Sequence, residues 1–180
     1  MRKEIERTVE VPEGFSVGIS GNSVTIKGNG KELSREFDLG RLSMELSEGK
    51  IKIYAKNGTR REAAMAGTIR AHLKNMINGL KEDFVYKLEI CNVHFPMNVK
   101  VEGDKLVIKS FLGERKLRYA KILDGVKVEV NGNVITVSSH NKESAGQTAA
   151  NIEKATKIKS RDRRIFQDGI FITEKCGRKI

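Results

Sequence analysis

Residues 17–27 read Val17-Gly-Ile-Ser-Gly-Asn-Ser-Val-Thr-Ile-Lys27, and 82 positions later residues 99–109 read Val99-Lys-Val-Glu-Gly-Asp-Lys-Leu-Val-Ile-Lys109. Val17/Val99, Gly21/Gly103, Ile26/Ile108 and Lys27/Lys109 are identical, and Ile19/Val101 and Val24/Leu106 match in kind. A further offset of one residue aligns Ala66-Gly-Thr-Ile69 with Ala149-Ala-Asn-Ile152. Ordered matches at a near-constant offset indicate a tandem duplication. The expected boundaries are residues 1–81 for the first repeat, 82–174 for the second and 175–180 for a basic C-terminal tail ordered only against its partner.

Inside the matched stretch, apolar residues alternate on either side of a Gly-Asn or Gly-Asp pair, which is the pattern of a tight hairpin. The alternation returns at Ile51/Ile53, at Val126/Val128/Val130 before Asn131-Gly132, and at Val134-Ile-Thr-Val137. Period-2 strands bury one face and wet the other. Each repeat then changes period. Met65, Ile69, Leu73, Met76 and Ile77 fall at helical spacing, so residues 61–80 are expected to form an amphipathic helix, with Thr59 as N-cap and Gly79 as stop. Residues 144–156 are the shorter counterpart. Ala63, Ala64, Ala66 and Ala71 are expected to allow the first helix close to its sheet. The fold class is therefore α+β: two small domains, each an antiparallel sheet covered by one helix.

The chain has 180 residues, with 34 basic and 23 acidic side chains, a net charge of +11. The surplus is localised. Residues 1–55 carry 9 basic and 9 acidic residues, 56–81 carry 6 and 1, 82–153 carry 10 and 10, and 154–180 carry 9 and 3. The second and fourth segments thus hold the whole excess, +5 and +6, as a binding footprint for a polyanion would. No apolar run approaches the ~20 residues of a membrane span, and the basic opening residues have no apolar stretch behind them. A reducing intracellular compartment is the expectation. Membrane binding is not expected, because no basic helix sets large apolar side chains opposite its cations.

Catalytic patterns are absent. His72, His94 and His140 lie far apart in sequence, and Cys91 and Cys176 stand singly, so neither a zinc site nor a disulfide framework is expected. His72 reads as a surface or capping residue, Cys91 as a small core residue and Cys176 as an exposed thiol. Gly28-Asn-Gly30 lacks the third glycine of a dinucleotide loop and reads as a hairpin turn. No catalytic residue, metal, cofactor or small-molecule substrate is expected.

The densest cationic stretch is Lys154-Ala-Thr-Lys-Ile-Lys-Ser-Arg-Asp-Arg-Arg-Ile-Phe166. Ile158, Ile165 and Phe166 would pin it, while Lys154, Lys157, Lys159, Arg161, Arg163, Arg164 and later Lys175 face phosphates, the arginines with bidentate geometry. Asp168-Gly169 would turn the chain into a last strand at Ile170-Phe-Ile172. With 7 Phe and 3 Tyr, none alternating with cations on a strand, recognition of a folded RNA by backbone and shape fits better than stacking along single strands.

The C-terminal pattern Ile158, Arg161, Arg164-Ile-Phe166-Gln-Asp168-Gly169, Ile170-Phe171-Ile172, Lys175 resembles the archaeal and eukaryotic branch of the universal large-subunit ribosomal protein numbered six in the bacterial series. Lys154 stands where that branch usually has glutamine, and Phe171 where it usually has tyrosine. Residues 66–79, Ala-Gly-Thr-Ile-Arg-Ala-His-Leu-Lys-Asn-Met-Ile-Asn-Gly, and Val11-Pro-Glu-Gly14 are similar to stretches of the same family. The resemblance covers essentially the whole chain. It implies a duplicated α+β fold and a ribosome-bound, cytoplasmic protein that binds large-subunit rRNA near the sarcin–ricin loop, beside neighbouring ribosomal proteins and close to where translation factors dock. It places RNA contact on Lys157, Lys159, Arg161, Arg163, Arg164 and Lys175, with Arg178 and Lys179 in the tail. Arg60, Arg61, Arg70 and Lys74 on the first helix are candidates for a secondary RNA or protein contact. Two other readings remain open at this point: a free-standing regulatory RNA-binding module, and an RNA-processing enzyme using scattered carboxylates or histidines.

Overall fold

The computed structural model describes residues 3–47 and 49–180. The chain divides into two compact units, Met1–Glu82 and Asp83–Ile180. The first unit runs β1 (Lys3–Glu10), β2 (Ser16–Ser20), β3 (Ser23–Gly28), β4 (Lys31–Glu36), β5 (Ser43–Ser47), β6 (Lys50–Gly58) and α1 (Arg60–Lys81). The second repeats that order with β7 (Phe84–Cys91), β8 (Asn98–Glu102), β9 (Lys105–Lys109), β10 (Arg118–Lys121), β11 (Lys127–Asn131), β12 (Val134–Ser139) and α2 (Lys142–Ala155). It then adds β13 (Gly169–Lys175) and β14 (Arg178–Lys179).

The strands of each unit form two antiparallel sheets. In the first unit their orders are β1-β6-β5 and β2-β3-β4; in the second, β10-β9-β8 and β11-β12-β7-β13-β14. The duplicated stretch that opened the sequence reading is the β2–β3 hairpin and its copy β8–β9. Their turns are closed by Gly21 (φ 58°) and Gly103 (φ 60°), with Ile19 opposite Val24 and Val101 opposite Leu106. The turn after β11 is Gly132-Asn133, one residue later than the Asn131-Gly132 pair suggests, because Asn131 still pairs with Val134.

In the first unit α1 packs against strands of both sheets. Its buried face is Ala66, Ile69, Leu73, Met76, Ile77 and Leu80, which meets Val24, Ile26, Ile51 and Ile53 in one core. Thr59 stands at the N-cap: the Glu62 carboxylate reaches back and accepts from the Thr59 backbone N–H at 2.8 Å and from the Thr59 hydroxyl, the Glu62 half of a capping box. Gly58, just before the cap, is buried under the Ile5 side chain, and a Cβ there would clash with Ile5 Cδ1. Gly79 does not stop the helix. It is buried in the last turn, which continues to Lys81. Of the four alanines only Ala66 is fully buried, while Ala64 and Ala71 are exposed, so close approach rests on one position.

In the second unit α2 begins at Lys142, earlier than the periodicity suggests. The Asn141 side chain caps it by accepting from the Glu143 and Ser144 N–H groups at 3.0 and 3.5 Å. Ala145, Thr148, Ala149 and Ile152 are buried against Leu88, Ile108, Ile135, Val137 and Ile170. The small residues let the helix lie close: a Cβ on Gly146 would sit 3.1 Å from the Tyr86 hydroxyl. Burial and a hydrogen bond to Cys176 push the Tyr86 phenol up to about 12.

Candidate nucleic-acid interface

The cationic segment leaves α2 at Thr156, crosses the unit as irregular chain and returns as β13. Local bonds give it shape. The Thr156 hydroxyl accepts from the Ile170 N–H at 2.9 Å, joining the two ends of the segment. The Ile165 and Phe166 N–H groups both donate to the Asp162 carbonyl, at 3.2 and 2.9 Å. Ile158 packs half-buried against the core and Phe166 is half-buried. Ile165, expected as a third anchor, is 63% exposed, because the turn at Asp162 carries it outward.

The firmest anchor is one that sequence reasoning missed. Asp168 is 1% exposed. Its Oδ1 accepts from the Val93 and His94 N–H groups, each at 2.9 Å, and its Oδ2 accepts from His94 Nδ1 at 2.5 Å. Burial pushes this carboxyl up, but the bonds from His94 and Val93 together outweigh that and hold it below the usual carboxylate range. The His94 ring stacks on Phe166 with centroids 5.1 Å apart, and the Arg161 guanidinium lies 4.8 Å from the Phe166 ring centre. Asp168, His94, Phe166 and Arg161 thus form a chain of contacts from a buried charge to an exposed one. Asp168 is more than a turn residue and His94 is not isolated, although 74 positions separate them. That separation is why no local pattern could pair them.

Lys154, Lys157, Lys159, Arg161, Arg163, Arg164, Lys175, Arg178 and Lys179 are all exposed. Lys154 lies in the last turn of α2, where the helix dipole favours a cation. Among the described residues, only Arg164 of these nine forms an ion pair. Its guanidinium grips Asp162 at 2.8–3.2 Å, and that bond raises the Arg164 pKa and lowers that of Asp162. Elsewhere on the surface, cations meet carboxylates at Lys27–Glu32, Lys50–Glu10, Lys87–Glu174, Lys127–Glu129 and Arg118–Glu114. Glu114, held low mainly by its bonds to Arg118 and less by the nearby charge of Arg161, is thus already engaged.

The expected free tail is part of the sheet. β13 runs through Lys175, turns at Cys176 (φ 49°) and Gly177 (φ 81°), and returns as β14, with Lys175 opposite Arg178 and Glu174 opposite Lys179. Two consecutive left-handed residues make a two-residue hairpin turn, and the Cys176 N–H is further tied to the Val85 carbonyl at 2.9 Å. Arg178 and Lys179 are therefore held on an edge strand. Cys176 is exposed as expected, while Cys91 is half-buried, with burial as the chief cause raising its thiol pKa.

The first-helix cations do not form one patch. On a helix of 3.6 residues per turn Arg60, Arg70 and Lys74 share a face and Arg61 falls off it. Arg60, Arg61 and Lys74 are exposed, whereas Arg70 is half-buried with no hydrogen-bond partner for its Nε among the described residues. Arg70 and Lys74 line a groove with Thr8 and Glu10. Glu10 is held low mainly by Lys50 and partly by Lys74, so Lys74 already has an acidic neighbour. In the same unit Arg35 donates to His72 Nδ1 at 3.2 Å. Among the described residues, no three His, Cys, Asp or Glu side chains come together to hold a metal. Among the described residues, no helix is long and apolar enough to cross a membrane.

A sequence profile described as ribosomal protein L6 matches this chain twice, over residues 11–83 and 95–169. The chain belongs to the ribosomal protein L6 family. The first matched segment covers most of the first structural unit and the second lies within the second, and membership makes the chain a ribosomal protein rather than an enzyme. Among curated relatives, "Large ribosomal subunit protein uL6" of Methanosarcina mazei is 52% identical over 176 residues, covering 98% of this chain and 100% of the relative. The protein of the same name from Methanococcus vannielii is 45% identical over 174 residues, covering 97% and 96%.

Proposed function

We propose that the protein is a structural constituent of the large ribosomal subunit, working ribosome-bound in the cytoplasm. Its second unit would hold large-subunit rRNA through Lys154, Lys157, Lys159, Arg161, Arg163, Arg164, Lys175, Arg178 and Lys179. The observation that carries this reading is the concentration of exposed cations, all but Arg164 without an ion-pair partner among the described residues, held by buried anchors at Asp168 and Thr156. Such cations repel one another in the free protein, and on binding they displace the counterions condensed on the RNA phosphates into bulk solution. The relatives' names support the large subunit. The rRNA near the sarcin–ricin loop, neighbouring ribosomal proteins and a place close to the translation-factor docking region follow from the family resemblance. Arg60, Arg61, Arg70 and Lys74 are proposed as a weaker, secondary contact with RNA or a neighbouring protein, since Glu10 offsets part of that charge. The protein makes and breaks no bonds. It keeps cations in register, and its effect on translation comes from holding rRNA in shape.

The test is equilibrium binding of the full chain to a large-subunit rRNA fragment containing the sarcin–ricin region, with tRNA as competitor and salt titrated. Specific binding that survives tRNA is expected. Complex formation that tRNA abolishes would overturn the assignment.

A further inference from the structure

A cleft of about 570 Å³ opens beside the last turn of α2, bounded by the cationic segment and the facing ends of β7 and β13. Its size lies in the range of small-molecule sites, ~300–1,000 Å³. Phe171 and Cys91, both half-buried, supply apolar wall. Phe166 also borders it, but its ring is already engaged by His94 and Arg161. Lys154, Lys157 and Arg163 border the cleft as exposed cations with no ion-pair partner among the described residues. Two carboxylates, Glu153 and Asp168, also line it. Glu153 Oε1 accepts weakly from the Ile172 N–H at 3.4 Å, and its Oε2 has no partner among the described residues.

This arrangement sorts charge. A phosphate entering the cleft would meet two carboxylates, while one at the rim would meet three cations. A group that is flat, apolar on its faces, uncharged and able to donate a hydrogen bond suits the interior. We propose that the cleft receives one unstacked nucleotide of the bound RNA: its base lies against Phe171, an exocyclic amine of the base donates to Glu153, and its phosphates rest on Lys154, Lys157 and Arg163. Bases free of a helix are the ones proteins read by stacking and by their edges, and a carboxylate accepts from an exocyclic amine. The proposal rests on the RNA-binding reading above and adds to it a base-sized site with a preference for adenine, guanine or cytosine over uracil.

The experiment is ultraviolet cross-linking of the full chain to the same rRNA fragment, with mass spectrometry of the adducts. Only a base in van der Waals contact forms a zero-length adduct. Attachment at Phe171 or Cys91, carrying the mass of adenosine, guanosine or cytidine, is the expected result. A parallel variant, Cys91→Leu, narrows the cleft and leaves every cation in place. It should weaken binding about tenfold, within the range for losing one stacked base, and should lose the adduct. Where that variant fails to fold, the wild-type adduct decides alone. Specific, salt-dependent binding with no adduct in the cleft overturns the nucleotide site and leaves the RNA-binding reading standing. A uridine adduct overturns the role of Glu153. Absence of specific RNA binding overturns both readings.

Discussion

Asp168 shows how one side chain can organise a binding segment from beneath. Its three hydrogen bonds fix residues 93–94 to the start of β13 and hold the His94 ring under Phe166. Replacing it with alanine leaves two backbone N–H groups without an acceptor, and each such loss costs about 1–3 kcal/mol. Asp168→Ala is therefore expected to lower stability by at least about 2 kcal/mol in denaturant unfolding. Asp168→Asn keeps an oxygen for the two N–H groups and should cost less. The carboxyl is held below its ordinary value when folded, so the unfolded chain takes up more protons on acidification. Its contribution is complete above about pH 4, the unfolded value, and disappears as pH falls through the folded one. Between about pH 5 and pH 3 the wild type should lose more Tm than Asp168→Asn. The other low carboxylates, Glu10, Glu62, Glu114 and Asp162, are common to both proteins and cancel.

At the scale of elements, the two ends of the role of glycine meet around α1. Gly67 lies in its exposed interior, with nothing within 4 Å of a Cβ placed there. Gly67→Ala removes backbone freedom from the unfolded chain without a clash, and a gain of about 0.5–1 kcal/mol is expected in thermal unfolding. Gly58, one residue before the N-cap, has no such room: the buried Ile5 side chain would have to move for a Cβ to fit. Gly58→Ala should destabilise, by about 1–3 kcal/mol as overpacked sites do. The β13–β14 hairpin also changes how the C-terminal cations are best tested. Deleting residues 175–180 would remove the end of a sheet strand that pairs with β7, so loss of binding would not report on charge alone. Arg178→Ala with Lys179→Ala leaves the backbone pairing intact. If both cations meet phosphates, the pair should make the salt slope shallower by about 2, measured as log K against log salt.

For the whole molecule, each unit has its own core and its own helix. Residues 1–82 carry 15 basic and 11 acidic side chains, net +4, and residues 83–180 carry 19 and 12, net +7. Fragments cut between Glu82 and Asp83 are expected to unfold cooperatively on their own. The second should keep most of the affinity for the rRNA fragment, as calorimetry and binding titration would show. In the full chain, Arg161→Ala, Arg163→Ala and Arg164→Ala together should weaken binding and flatten the salt slope by about 2 rather than 3, because Asp162 already neutralises Arg164. Wild-type binding by the triple variant would remove this segment from the interface.

Much of this was legible without coordinates. The duplication, the alternation of strands, the capped amphipathic helix and the localisation of charge all depend on residues near one another in the chain or on composition within a segment. Local periodicity and local charge are properties of the sequence itself. The number of sheets was not legible, because alternation marks a strand without naming its partner. Nor was the fate of the last six residues, whose hairpin depends on a left-handed cysteine and on pairing across to β7. The His94–Asp168 contact and the cleft beneath the cationic segment were hidden for the same reason. Each joins residues far apart in the chain, and only the packing of β7, α2 and β13 into one unit brings them within hydrogen-bonding or van der Waals distance. The sequence by itself determined where the strand alternation and the helical period fall and where positive charge collects; the tertiary structure decided which cations stay unpaired and what lies beneath them, since pairing and burial are set by neighbours in space.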